Sequence, residues 1–256
     1  MEYTGNAIYE YVFNKNLDYY FSAKNNWMLV YGNADSIPKI LVFAVKVSNI
    51  NCKCTDDEMK EANRSFFIAR YLKLPFIFVG FMVNNGMVKV WEERVRQWQL
   101  ITYDQLRDIY EKYEVVQKGT ARKSVNQYTS SDYHNWQRDS LGRITVSDFD
   151  LIKYNKGRVQ EIIELKRSKI PLNSWKPYTN DYPNFALLIN TIVGSGKNIP
   201  FTLYYNFMKA GQMGKREEDI SKIKVFDFII PDNIILAGQV GYKFRGYYSP
   251  DQLLKQ

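Results

Sequence analysis

Two acids and a lysine stand close together in the second half of the chain, in a pattern that could do hydrolytic chemistry. Ser147-Asp148-Phe149-Asp150-Leu151-Ile152 is followed, after the turn Asn155-Lys156-Gly157, by Glu161-Ile162-Ile163-Glu164-Leu165-Lys166-Arg167-Ser168. Both stretches are apolar enough to be strands, and alternate side chains of a strand share a face. Asp148 is then expected to point with Asp150, and Glu164 with Lys166. A hairpin would bring the pairs side by side. Two carboxylates at such a junction suit Mg²⁺, with Mn²⁺ as a substitute, because a hard ion takes oxygen ligands and keeps sites for water and phosphate. An ammonium group beside them would orient a water and offset charge on phosphoryl oxygens. The plainer alternative is a solvated charge pair on an edge strand.

The elements around these residues alternate in type. Thr4 is placed to cap a helix reaching about Asn16, followed by strands at Trp27–Tyr31 and Ile40–Val47. Thr55-Asp56-Asp57-Glu58 opens a second helix, with acids where they complement the helix dipole. Phe76–Val83 and Met87–Trp91 read as strands, and Tyr103 to about Tyr113 as a third helix. The polar stretch Gln117–Ser131 reads as a linker. Beyond it come the hairpin of Ile144–Tyr154 with Val159–Arg167, a helix at Tyr182–Val193, and strands at Pro200–Phe207 and Ile223–Ile230.

The two halves share this order, which suggests a duplication. Phe43–Ser48 falls opposite Ile163–Ser168, Pro75-Phe76 opposite Pro200-Phe201, Val88–Trp91 opposite Ile223–Phe226, and Thr102–Leu106 opposite Ser249–Leu253. At a constant offset of 120, Asp150 falls opposite Val30, Glu164 opposite Ala44, and Lys166 opposite Lys46. The first copy would then lack the metal carboxylates. An unrelated α/β domain with the same rhythm is the competing reading.

The acid, the Gly turn and the apolar-apolar-Glu-x-Lys strand together resemble the PD-(D/E)xK restriction-endonuclease-like superfamily, over roughly residues 120 to 230. The resemblance implies a core of mixed sheet flanked by helices, and the duplication would make the N-terminal copy a degenerate one. It divides the chain into 1–116, degenerate, and 117–256, carrying the site. It also implies that Asp150 and Glu164 are the metal carboxylates, that the Leu165 carbonyl is a further ligand, and that Lys166 is the catalytic lysine. The chemistry would be hydrolysis of DNA phosphodiesters by a metal-activated water. Where the superfamily has a proline before the first acid, this chain has Ser147 and Asp148, so Asp148 could share the role of Asp150. The acid that many members carry on the first helix has no assigned counterpart. A non-cleaving nucleic-acid-binding module with the same fold is the alternative.

Charge fits a polyanionic partner. The 256 residues carry a formal charge of +8, divided as 15 Lys and Arg against 14 Asp and Glu in 1–118, and 20 against 13 in 119–256. Neutralising phosphates releases condensed counterions, although a general solubility charge would look the same. Arg158, Arg167, Lys169 and Lys176 are the candidate phosphate contacts, interleaved with Trp175, Tyr178 and Tyr182 as stacking residues. Tyr242–Tyr248 has the same character, and Tyr133–Arg138 is placed to line a cleft before the first catalytic strand. His134 itself reads as structural. One site per chain implies a homodimer, or cutting of a single strand. Cys52 and Cys54 with a lone histidine do not make a zinc site. No apolar run spans a membrane and no secretory leader is recognisable, so a cytoplasmic protein without membrane contact is expected. Gly194-Ser195-Gly196-Lys197 lacks the spacing and context of a phosphate loop.

Overall fold

The computed structural model describes residues 7–20, 25–50, 55–83, 85–117, 132–210 and 216–254. Thr4, Cys52, Cys54 and nearly all of the expected linker lie outside them.

The first half runs α1 (Ala7–Asn14), β1 (Tyr19–Tyr20), β2 (Asn26–Gly32), β3 (Pro38–Lys46), α2 (Asp56–Tyr71), β4 (Phe76–Phe81), β5 (Met87–Glu92), β6 (Trp98–Thr102) and α3 (Tyr103–Lys112). The second half repeats the order as α4 (Asp132–Ser140), β7 (Thr145–Asp148), β8 (Leu151–Asn155), β9 (Arg158–Ser168), α5 (Tyr182–Ser195), β10 (Phe201–Ala210), β11 (Arg216–Phe228), β12 (Tyr242–Tyr248) and α6 (Pro250–Leu254). Local chemistry sets several of these limits. Thr55 with Glu58 and Thr102 with Gln105 form capping boxes at the starts of α2 and α3, each satisfying two N–H groups that the helix leaves open. Gly196, at φ 65°, ends α5 in the left-handed conformation that a side chain resists. Lys156 and Gly157 both have positive φ, as a tight turn between twisted strands requires.

Two six-stranded mixed sheets result, ordered β7-β2-β3-β4-β5-β6 and β1-β8-β9-β10-β11-β12. The topology is the same in both: two antiparallel strands, a helical crossover to a parallel third strand, then two further antiparallel strands. The edge strands are exchanged. β1 comes from the first half but pairs with β8, while β7 comes from the second half and pairs with β2. The leading helices travel with them. Ile8, Tyr9 and Val12 of α1 pack with Leu254 of α6 on the outer face of the second sheet, and Tyr133 and Trp136 of α4 pack with Leu106 and Tyr110 of α3 on the first. Each sheet therefore draws on both sides of residue 116.

The faces that look inward share one core. Met28, Val30, Leu41 and Phe43 of the first sheet join Ile162, Phe201 and Leu203 of the second around Phe185, Leu188 and Ile192 of α5 and Ile68 of α2. The α5 run is apolar on nearly every side because it lies between the sheets.

The stretch expected to be one strand, Ile144–Tyr154, is divided. β7 ends at Asp148 in the first sheet, Phe149 is buried in the shared core, and β8 starts at Leu151 in the second sheet. Asp150 occupies that crossing point. Asp148 and Asp150 are thus not two positions of a single strand.

Candidate active site

The β8–β9 ladder pairs Leu151 with Ile163, and continuing it by one residue sets Asp150 opposite Glu164. Both are buried, each with only 6% of its surface exposed. The N–H of Leu165 donates to Oδ2 of Asp150 at 2.7 Å, and the Tyr9 hydroxyl donates to Oδ1 at 3.3 Å. A strand residue projects its N–H and its C=O toward the same neighbour, so the Leu165 carbonyl also faces the Asp150 side. Lys166, two residues beyond Glu164 on the same face, places Nζ 2.9 Å from Glu164 Oε1 and 3.5 Å from Asp181 Oδ2, with the Phe185 ring 5.7 Å away.

Two carboxylates thus contact the ammonium group, and Asp150 and Asp148 act on it electrostatically from farther off. Burial, and then the charges of Glu164 and Asp148, hold Asp150 well above the usual carboxylate range, against the pull of the Leu165 N–H and Lys166. Glu164 is raised by burial and by Asp148 and Asp181, with Lys166 opposing. Asp148 is raised by burial, opposed by a backbone hydrogen bond and Lys166. For Lys166, burial alone would lower the value, but Glu164, Asp181 and Asp150 outweigh it and keep the group protonated. A buried excess of negative charge is costly unless a cation offsets it.

The residues fit a hard divalent ion in one respect and limit it in another. Asp150, Glu164 and the Leu165 carbonyl are all oxygen donors, the type Mg²⁺ prefers. Among the described residues no group of three or more His, Cys, Asp or Glu side chains is placed to hold a metal by itself. Any ion here would rely on two carboxylates, the main chain and its own waters, which is the usual manner for Mg²⁺.

The sheet register also corrects the alignment of the halves. Ile162 pairs with Phe201 as Leu41 pairs with Phe76, and the bond from Ile162 N to Pro200 O (3.0 Å) recurs from Leu41 N to Pro75 O (2.9 Å). Along these strands the structural offset is 121 positions (162 less 41), not 120. Glu164 therefore corresponds to Phe43 and Lys166 to Val45. Met28, which pairs with Phe43, corresponds to Asp150. Val30 thus lies two positions, and Ala44 and Lys46 one position, away from the true counterparts. All three true counterparts are apolar and buried in the shared core.

Other expected site residues are dispersed. Arg158 opens β9, six residues and about 20 Å along the strand from Glu164. Arg167 alternates to the opposite face and pairs with Glu218, which also accepts from Ala7 N at 3.1 Å. Lys169 and Lys176 are exposed beyond the Lys166 end of β9. Trp175 is no stacking platform, because it is buried and lies flat on Tyr205 with ring centres 4.0 Å apart. Tyr178 is exposed at the Trp175 edge, and Tyr182 is half-buried against Phe185. Tyr133–Arg138 does not line this site, since α4 belongs to the other sheet. His134 packs edge-on against Trp27 at 4.9 Å, and burial pushes it down to about 4.

Two contributors were not foreseen. Asp181 precedes α5, and its only sequence signal was an acid at the start of the helix that follows the Glu-x-Lys strand. Tyr9 lies 141 positions from Asp150 and reaches it only because α1 is exchanged. No signal in the sequence marked it.

No family model matches the chain, and neither does any curated protein. A structure described as the C-terminal domain of sex pheromone staph-cAM373 precursor from Staphylococcus aureus aligns over 82% of this chain and 65% of its own length, at 7% identity and a TM-score of 0.14. That likeness carries no argument. No helix among the described residues is long and apolar enough to cross a membrane.

Proposed function

We propose that Asp150, Glu164 and Lys166 form the active site of a Mg²⁺-dependent endonuclease with a duplicated, strand-exchanged restriction-endonuclease-like fold. One observation carries the reading. The equivalent positions of the first sheet hold Met28, Phe43 and Val45, so the fold is satisfied by apolar residues there, and the charged set in the second sheet serves something other than packing.

Asp150, Glu164 and the Leu165 carbonyl would hold the ion, with Asp148 near enough to add its charge. When bound, the metal lowers the pKa of a coordinated water and offsets charge on the phosphoryl oxygens. Lys166, kept protonated by its acidic neighbours, donates to the attacking water or to the phosphate oxygen on which charge grows. Asp181 holds that ammonium between the two carboxylates, and the Tyr9 hydroxyl fixes the rotation of Asp150. The excess of positive charge in residues 119–256 suits DNA, and one site per chain suits either a homodimer for duplex cutting or a nick in one strand.

The test is cleavage of single-stranded, duplex and branched DNA in Mg²⁺, Mn²⁺ or EDTA by wild type and Glu164→Gln. Cleavage should need the ion and fall by about 100-fold or more in the variant. Metal-independent binding without any cleavage would instead favour the non-cleaving module.

A further inference from the structure

The first sheet has an open aromatic face that its counterpart lacks. In the second sheet the connection from β11 to β12, residues 229–241, folds over the inner face and buries Ile235 and Val240 in the core. In the first, β5 and β6 are joined by only 93–97, and the same face remains uncovered.

A cavity of about 370 Å³ lies there, floored by Phe76, Phe78, Trp91 and Trp98 and walled by Phe66 of α2. Phe66 stands edge-on to Trp91 and Phe78 edge-on to Trp98, with ring centres 6.0 and 5.0 Å apart. Trp98 remains 44% exposed even with the Lys89 ammonium over its ring at 5.0 Å. A second cavity of about 530 Å³ adjoins it, sharing Arg70, Glu93 and Arg96 and adding Lys73 and Arg94. Glu93 is engaged by Arg70 at 3.0 Å and by the Phe76 N–H at 3.3 Å, and Arg94 stacks on the Tyr113 ring at 4.4 Å, so Lys73 and Arg96 are the cations that line this cavity beside the Arg70–Glu93 pair. Lys73 and Arg96 both sit at positive φ, 57° and 58°, a conformation uncommon outside glycine, and these two turns set their side chains at the cavity.

We propose that the joined cavities bind a nucleotide, its base among Phe66, Trp91 and Trp98 and its phosphate on Lys73 and Arg96, beside the Arg70–Glu93 pair. An aromatic slot beside the Arg96 guanidinium and the Lys73 ammonium matches a planar base joined to a phosphate, because the rings stack on the π-face and the cationic donors bind the oxyanion. An apolar peptide side chain would use the first cavity and make no use of Lys73 and Arg96 in the second. The site shares no residue with the carboxylate cluster and does not depend on hydrolysis.

Calorimetric titration in EDTA tests this, with 5′-AMP, adenosine, inorganic phosphate and a 5′-phosphorylated oligodeoxyadenylate as probes. 5′-AMP should bind at least about tenfold more tightly than adenosine or phosphate alone. Trp98→Ala, and Arg96→Asn, which tolerates the left-handed turn, should each weaken it by about tenfold. Tighter binding of the oligonucleotide would identify a strand terminus as the source, and equal or weaker binding a free nucleotide. The proposal is overturned if neither nucleotide probe binds more tightly than phosphate, if the variants leave affinity unchanged, or if Trp98→Ala converts a dimer to a monomer without affecting nucleotide binding.

Discussion

The N–H of Leu165 donates to the Asp150 carboxylate at 2.7 Å, so the acid at the point where the chain crosses between sheets is tied to the strand that carries Glu164 and Lys166. That bond fixes Asp150 beside Glu164 without neutralising it. Burial, and then the charges of Glu164 and Asp148, raise the Asp150 pKa, while burial with Asp148 and Asp181 raises that of Glu164, so the resting site carries repulsion that a bound cation would relieve.

This repulsion has a pH signature. Asp150 and Glu164 have raised folded values, so the folded chain keeps their protons to higher pH than the unfolded chain does. Stability from these groups is therefore lost as pH rises from the ordinary carboxylate range of about 4 toward the folded values. Asp150→Asn retains an oxygen for the Leu165 N–H and removes the charge. In EDTA its melting temperature should exceed that of wild type by a few degrees at about pH 8, with the gap closing toward about pH 5. Thermal melts across that range check this, and a variant that melts below wild type at every pH would refute the stored repulsion.

Exchange of α1–β1 for α4–β7 makes each sheet depend on both halves. Residues 1–116 alone would lack β7 and α4, leaving the β2 edge open and Leu106 and Tyr110 uncovered; residues 117–256 alone would lack β1 and α1. Expressed singly, the fragments should be insoluble or aggregate, and expressed together they should co-purify as a folded complex. Fractionation followed by circular dichroism measures this. Two soluble, independently folded fragments would contradict the exchange.

Phe43 and Glu164 occupy equivalent places but should behave oppositely on substitution. Phe43 is fully buried in the shared core, and Phe43→Ala should cost about 3–5 kcal/mol in chemical denaturation while leaving the cleavage rate per folded molecule close to wild type. Glu164→Gln should leave stability unchanged or raised and abolish cleavage. Equal losses of stability from the two would mean that Glu164 is a packing residue.

Much of the second half was legible because its signals are local. The alternation of Glu164 and Lys166, the Lys156-Gly157 turn and the apolar run of α5 each act over a few residues, and each appears where expected. The strand break at Phe149–Asp150 was not legible, since Ile144–Tyr154 carries strand chemistry throughout and which sheet each part joins is decided by distant partners. Nor was the exchange of α1, because apolar faces such as Ile8, Tyr9 and Val12 would cover either sheet. β6 and β12 were not foreseen as strands. Tyr242–Tyr248 read as a basic and aromatic contact cluster and Trp98–Thr102 carried no assignment, and edge pairing supplies the order of both. The register offset of 121 emerged only from hydrogen-bond partners, and one position was enough to turn an apparent lysine counterpart into Val45.

The most direct test of the site is Mn²⁺ titration followed by electron paramagnetic resonance, on wild type, Asp150→Asn and Glu164→Gln. Wild type should bind one ion per chain in competition with Mg²⁺, and both variants should lose it while remaining folded. Absence of a bound ion in wild type, or one retained undiminished in both variants, would contradict the assignment of Asp150 and Glu164 as metal ligands.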